Sequence, residues 1–322
     1  MELTRIIDEI RNYPGITRKR NIHRAVEVLR GMEADAFSQV VTDFGEDAAA
    51  IKHDDHYLLL AAEGMWPRFV KDEPYAAGKA AVMACVNDIY AMGGNPLALV
   101  NVLSAVKDED YTLVMEGIRK GCQKFGVPMV GGHLNPDSNE TALSVAILGT
   151  ARKLLKSNNA QAGQKIVLAV DLDGTDGQCK SVVSWDANSG KTSSYLLERL
   201  DILRYLAEAN ICRTAKDVSN GGILGTIGLL CECSRKGGLV VLDKIPKPPG
   251  VQLINWLKAF LSYGFILCVD DNNLSVCLDS FHKKGIAAEV IGEISESPQI
   301  VLQSGDVKEI LFDFTRDSIT GM

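Results

Sequence analysis

Apolar positions along the chain fall into blocks of two kinds. Short runs at 48–51 (AAAI), 57–63 (YLLLAAE), 96–104 (PLALVNVLS) and 142–151 (ALSVAILGTA) have strand length and composition. Longer blocks carry helical spacing. AAGKAAVMACVNDIYAMGG, 76–94, is Ala-rich and nearly apolar all round, which predicts a deeply buried helix ending at Gly93-Gly94. YTLVMEGIRKGCQKF, 111–125, predicts an amphipathic helix, and residues 2–31 predict two short ones broken at Pro14-Gly15.

The polar, aperiodic stretch KSNNAQAGQK, 156–165, reads as a linker between domains. Beyond it, strands are expected at KIVLAVDL, near 214–218, and at GLVVL, FILCVD, AAEVIGEI, QIVLQ and KEILFDF. Helices are expected at 192–209, in ILGTIGLLCECSRK, and at 251–260 and 273–284. Strands and helices mix without strict βαβ alternation, which favours α+β. The expected organisation is a helical arm, 1–39, a first domain, 40–155, and a second, 165–322.

Composition narrows the function classes. The 322 residues are 46% hydrophobic and 23% charged, ordinary values for a soluble globular protein. With 34 Lys and Arg against 41 Asp and Glu, the net charge of −7 disfavours nucleic acid or an anionic membrane as partner. A small anion remains compatible, because a metal ion or backbone amides can hold one locally. The eight cysteines include no Cys-x-x-Cys pair and mostly sit in apolar surroundings, which suits reduced core thiols. MELTRIIDEIRNY alternates charged and apolar residues unlike a signal peptide, and no apolar run reaches the ~20 residues of a membrane span. A cytoplasmic location is expected.

Candidate chemistry concentrates in acids and glycines. Asp47 lies in DFGEDAAAI beside Glu46 and Asp43, at the mouth of a predicted strand; such carboxylates suit a hard cation like Mg²⁺, or a solvated turn. Asp88, next to Asn87, stands in an otherwise apolar helix, where a lone carboxylate is unfavourable unless paired or metal-bound. Lys79, nine residues earlier, either shares that pocket or snorkels. Gly131-Gly132-His133 follows an apolar piece and offers amides to a phosphate, or makes a plain turn. In Asp217-Val218-Ser219-Asn220-Gly221-Gly222, an acid ends a strand and Ser219, Asn220 and Gly221 lead into an apolar helix. That helix N-terminus favours an anion, although Ser219 or Asn220 capping the helix is the plainer alternative. VLAVDLDGTDG, 167–177, offers a different centre: Asp171 and Asp173 match the nucleophile loop of dehalogenase-like phosphatases, or a strand end and turn.

FGEDAAAI, AAGKAAVMACVNDIYAMGGNPLAL, Gly131-Gly132-His133, DVSNGGILGTIGLL, YGFILCVDDNN and GIAAEVIGEI, in this order, resemble the AIR-synthase-related, or PurM-like, superfamily. The resemblance implies a two-domain α+β fold, with an N-terminal domain dimerising through its sheet. It implies Mg-ATP in a cleft near the dimer interface and phosphoryl transfer to, or activation of, a small-molecule acceptor. Glu46, Asp47, Asp88 and Asp217 match the family's metal-handling positions. Lys79, Asn87, Gly131, Gly132, His133, Ser219, Asn220 and Gly221 match its phosphate-lining segments. Departures narrow the placement. Glu46 replaces an aspartate, Leu134 replaces a hydroxyl, no cysteine precedes Cys85, and AAEGMWPRF stands where aminoimidazole ribonucleotide synthetase has another motif. The nearest likeness is to relatives of thiamine-monophosphate kinase and of the methanogenesis marker 2 type. A kinase or synthetase is expected, with a non-catalytic nucleotide-binding protein as the alternative.

Overall fold

The computed structural model describes all residues except 1, 30–36, 43, 105–107, 137, 178–181 and 322, so Asp43 and Cys179 lie outside the described residues. The arm forms α1 (Glu2–Arg11), α2 (Pro14–Thr17) and α3 (Ile22–Val28), with Pro14 opening the second helix. Leu3, Ile6, Ile7 and Ile10 recur every three or four residues, and α1 buries that stripe against the second domain. Glu9 pairs with Lys258 at 2.7 Å and Arg11 donates to the Leu311 carbonyl at 2.6 Å.

The first domain places β1 (Ala49–His53), β2 (His56–Gly64), β3 (Asn95–Ser104), β4 (Met129–Asn135) and β5 (Ala142–Ala151) in the order β1-β2-β5-β3-β4. All neighbours are antiparallel except β3 and β4. The helices are α4 (Pro67–Asp72), α5 (Pro74–Ala91) and α6 (Asp108–Phe125). α5 lies against β2 and β5 on one side, α6 on another, and reaches α7 (Ser193–Glu208) and β9 (Thr214–Asp217) of the second domain. That position accounts for its lack of a polar face. Its small residues are needed where α6 crosses: a Cβ on Gly78 would lie 2.2 Å from the Val114 carbonyl, and one on Gly117 2.1 Å from that of Tyr75.

The second domain contains β6 (Lys165–Val170), β7 (Thr175–Asp176), β8 (Ser184–Asp186), β10 (Gly237–Val241), β11 (Phe260–Leu261), β12 (Gly264–Val269), β13 (Ala287–Ser295), β14 (Gln299–Ser304) and β15 (Val307–Asp313). Seven strands form a sheet in the order β15-β14-β10-β13-β6-β12-β9, and β11-β8-β7 form a small one. The helices are α7, α8 (Gly222–Ser234), α9 (Leu253–Lys258) and α10 (Asp271–His282). The large sheet is buried on both faces. Val167 and Ala169 join a core shared with α5 and α7, while Ile166, Leu168 and Val170 join a second core with α1 and α8. Burial on both sides explains why KIVLAV is an unbroken apolar run. Among the described residues no helix is long and apolar enough to cross a membrane.

Candidate functional site

One carboxylate oxygen from each of Asp47, Asp88 and Asp217 lies within 4.8 Å of the others. Three separate elements deliver them: the turn before β1, the last turn of α5, and the end of edge strand β9. Asp88 and Asp217 are buried. Burial, then the charges of Asp217, Glu63 and Asp47, hold the Asp88 carboxyl well above the usual range. Burial, then Asp47, pushes Asp217 up to about 8.

Charged residues that sequence reasoning did not assign to the site surround this trio. The Lys216 ammonium contacts Asp47 Oδ1 and donates to the Gly45 carbonyl at 3.2 Å. Burial opposes its charge, but Asp47 and Asp217 outweigh it and raise its pKa. The Asp217 amide donates to Asp47 Oδ2 at 3.3 Å. Glu63, near the end of β2, has its carboxyl raised by burial, with Lys19 opposing and Asp47 adding to the effect. Lys19, from the arm, is lowered by burial and by Lys216, against the pull of Asp217, Glu63 and Asp47. The arm reaches this region because Gly15 packs on the Asn220 carbonyl, Ile16 packs against Gly225, and Arg18 lies over the Trp66 ring at 5.3 Å. The available signals were thin: a lysine inside a buried strand run, and a glutamate ending an apolar one.

Other anticipated residues sit elsewhere. Glu46 is not one of the trio; its carboxylate accepts from the Ser157 amide and hydroxyl at 2.7 and 2.8 Å and the Asn158 amide at 3.3 Å. Burial raises its pKa, against those hydrogen bonds. Lys79 precedes Asp88 by two and a half helical turns, which puts it on the opposite side of α5, bonded to Ser189 Oγ at 3.2 Å. Asn87 donates to the Ser262 carbonyl at 3.2 Å, while its buried Oδ1 has no protein partner. Gly131, Gly132 and His133 form no turn; they lie within edge strand β4, and His133 Nε2 bonds Asn135 Oδ1 at 3.0 Å. Ser219, Asn220 and Gly221 lead into α8, whose N-terminus receives no side-chain cap, so neither Ser219 nor Asn220 caps it.

Gly222 explains the second glycine of that motif. Its φ is +67°, and a Cβ there would lie 2.2 Å from the Leu257 carbonyl. Gly222→Ala is therefore expected to destabilise the chain by about 2–4 kcal/mol, from left-handed strain plus overpacking. Urea denaturation measures this, and a loss below about 0.5 kcal/mol, the size of an ordinary surface change, contradicts it.

Asp171 and Asp173 share the Lys191 ammonium, at 2.7 and 3.4 Å, but differ in their surroundings. Asp171 is buried, with Oδ2 held by Lys191 at 2.7 Å and by the Tyr195 hydroxyl at 3.2 Å. Its Oδ1 accepts from the Asp173 amide at 3.0 Å, while the Asp173 side chain is 88% exposed. This is a strand end and turn stabilised locally. All described cysteines are free.

The trio is a hard-oxygen donor set in which Asp88 and Asp217 resist ionising beside neighbouring carboxylates.

Comparison with known proteins agrees with this architecture. Residues 45–151 match the N-terminal domain of AIR synthase related proteins and residues 161–305 the C-terminal domain. An uncharacterized protein of Methanocaldococcus jannaschii is 39% identical over 325 residues, covering 100% of both chains. One from Synechocystis is 36% identical over 319 residues, covering 99% of this chain and 98% of its own. A selenide, water dikinase of Photobacterium profundum is 26% identical over 220 residues, 66% of this chain and 60% of that protein. Among solved structures, Thermotoga maritima PurL complexed with ADP superposes with a TM-score of 0.71 at 22% identity, over 85% of this chain but 47% of PurL. AaThiL complexed with AMPPCP and TMP superposes with a TM-score of 0.67 at 16% identity, over 89% and 96%. With both domains matched in order and a relative aligned end to end, this chain belongs to the AIR synthase related protein family.

Proposed function

We propose that this protein is a homodimeric enzyme that binds Mg-ATP and transfers or activates a phosphoryl group on a small-molecule acceptor. The observation that carries the reading is the convergence of Asp47, Asp88 and Asp217 within 4.8 Å from three distant parts of the chain. Relatives that use or bind nucleotides add support: a selenide, water dikinase, PurL with ADP, and ThiL with AMPPCP. Asp47, Asp88 and Asp217, with Glu63 close by, would hold the magnesium ion. When bound, the ion neutralises phosphate oxygens and the charge that develops on them.

The chain's own groups do the positioning. The α8 amides present an uncapped helix N-terminus to an anion. Lys19 brings a cation from the arm, suited to a phosphate. No general base is assigned, since phosphoryl transfer depends mainly on alignment and charge neutralisation. The proposed dimer buries the outer face of the first domain's sheet, where Leu60, Val100, Val102 and Leu148 are exposed side by side.

Thermal melts with ATP, ADP and Mg²⁺, singly and together, test the proposal. Stabilisation should require nucleotide and metal jointly, reaching about 2.7 kcal/mol at a ligand concentration 100 times Kd. Equal gains from nucleotide alone would remove the metal from the reading. Joint stabilisation with no ADP formed from any metabolite pool would instead identify a non-catalytic nucleotide-binding protein.

A further inference from the structure

We propose that Lys216 is a built-in counter-cation that takes the seat of one divalent ion, so this site binds one metal fewer than its carboxylates alone would attract. The inference rests on the metal-binding reading above.

Lys216 has the surroundings of a bound hard cation. Its Nζ meets one carboxylate oxygen, Asp47 Oδ1, and one backbone carbonyl, that of Gly45 at 3.2 Å. Carboxylate and carbonyl oxygens are the ligands such cations recruit. The side chains of Lys216 and Asp47 are only 7% and 6% exposed, so bulk water and salt do little to screen the pair. Lys216 is the one lysine among the described residues that is buried. It also crosses between domains, from β9 to the turn before β1, and fixes the Asp47 carboxylate there.

Charge points the same way. The carboxylates and ammonium groups that act on one another here are Glu46, Asp47, Glu63, Asp88, Asp217, Lys19 and Lys216. With all ionised, five carboxylates and two ammonium groups leave a formal −3, of which one divalent ion neutralises two charges. Without Lys216 the total is −4, enough for two divalent ions, and the freed oxygens of Asp47 and Gly45 face it. A lysine that served only as an interdomain strut would leave metal uptake unchanged when replaced. A lysine in a metal's seat would not.

The test is Mn²⁺ stoichiometry by equilibrium dialysis with a non-hydrolysable ATP analogue, on wild type, Lys216→Met and Lys216→Arg. Lys216→Met should bind one more Mn²⁺ per chain than wild type. Its metal-free melting temperature should fall and its gain on adding Mn²⁺ should grow. Lys216→Arg should match wild type. If Lys216→Met is insoluble without metal, Mn²⁺ during purification should recover it, and failure to do so counts against the proposal. Wild-type binding with no extra ion in Lys216→Met overturns the lysine's role alone. No Mn²⁺ on wild type even with the analogue overturns the parent reading and this one together.

Discussion

Replacing Asp88 with asparagine should make the metal-free protein more stable and the metal-loaded protein inactive. Asparagine keeps the shape of the side chain and removes one of three carboxyl groups crowded within 4.8 Å. Burial and neighbouring carboxylates already hold Asp88 well above the usual carboxyl range, and Asp217 near 8. Both acids have folded-state pKa values above an unfolded value of about 3.9, so the folded state binds more protons between those limits. Their stabilising contribution is complete below the unfolded value and is lost as pH rises through the folded one. The metal-free wild type should therefore lose stability as pH climbs from about 4 towards 8. Metal uptake has the opposite slope, because ligating carboxylates must be ionised.

Asp88→Asn should flatten the metal-free decline and abolish the extra stabilisation that Mg-nucleotide gives at high pH. Turnover should fall by at least about 10²-fold, the scale seen when a metal site loses a supporting group or a charge-stabilising donor. Melting curves across about pH 5–9, with and without Mg-nucleotide, read both effects. A variant that melts lower than wild type without metal, yet keeps the metal-dependent gain, would show that Asp88 is a structural acid. That result would leave the proposed cation without a centre.

Asp88 was legible in the sequence for the reason that makes it informative. A charge in the stretch from Cys85 to Met92, where every residue is buried, has no solvent-facing side to occupy. Asp47 and Asp217 were legible as acids at strand ends, positions from which a side chain leaves the sheet. Their meeting was not, because it depends on α5 packing simultaneously on the first sheet and on β9. Glu46 shows the limit of reading neighbours as a group: Ser157 from the linker captured its carboxylate. Gly131-Gly132 suggested a turn, since local chemistry does not reveal that β3 offers six residues of parallel pairing from 129 to 135. Lys19, in the arm, was not assigned to the site for a similar reason. It is the packing of Gly15 on the Asn220 carbonyl and of Ile16 on α8 that brings the arm, and Lys19 with it, within the field of the acids.

The second large effect concerns assembly. Val102→Glu should convert the protein from a species of twice 34.9 kDa to one of 34.9 kDa in light scattering, without unfolding it. Val102 is 48% exposed on the outer face of β3, beside His133 on β4, with Val100 two residues away on the same face. Leu60 and Leu148 pair directly across β2 and β5. A solvated antiparallel face normally alternates to polar residues, and the proposed dimer would account for the four large apolar side chains there. A carboxylate at its centre would be desolvated without a partner on association, a penalty of several kcal/mol counted once from each copy. In the monomer the same carboxylate stays in water, so the fold should tolerate it within about 0.5 kcal/mol. Val102→Thr preserves shape and should leave most of the dimer intact. A wild type already at 34.9 kDa at micromolar concentration would refute the dimer outright. If Val102→Glu stays at twice that mass, the sheet face is free and the subunits meet elsewhere. That outcome would also separate assembly from the acids, because Asp47, Asp88 and Asp217 all come from one chain and lie on the inner side of the sheet, where α5 packs.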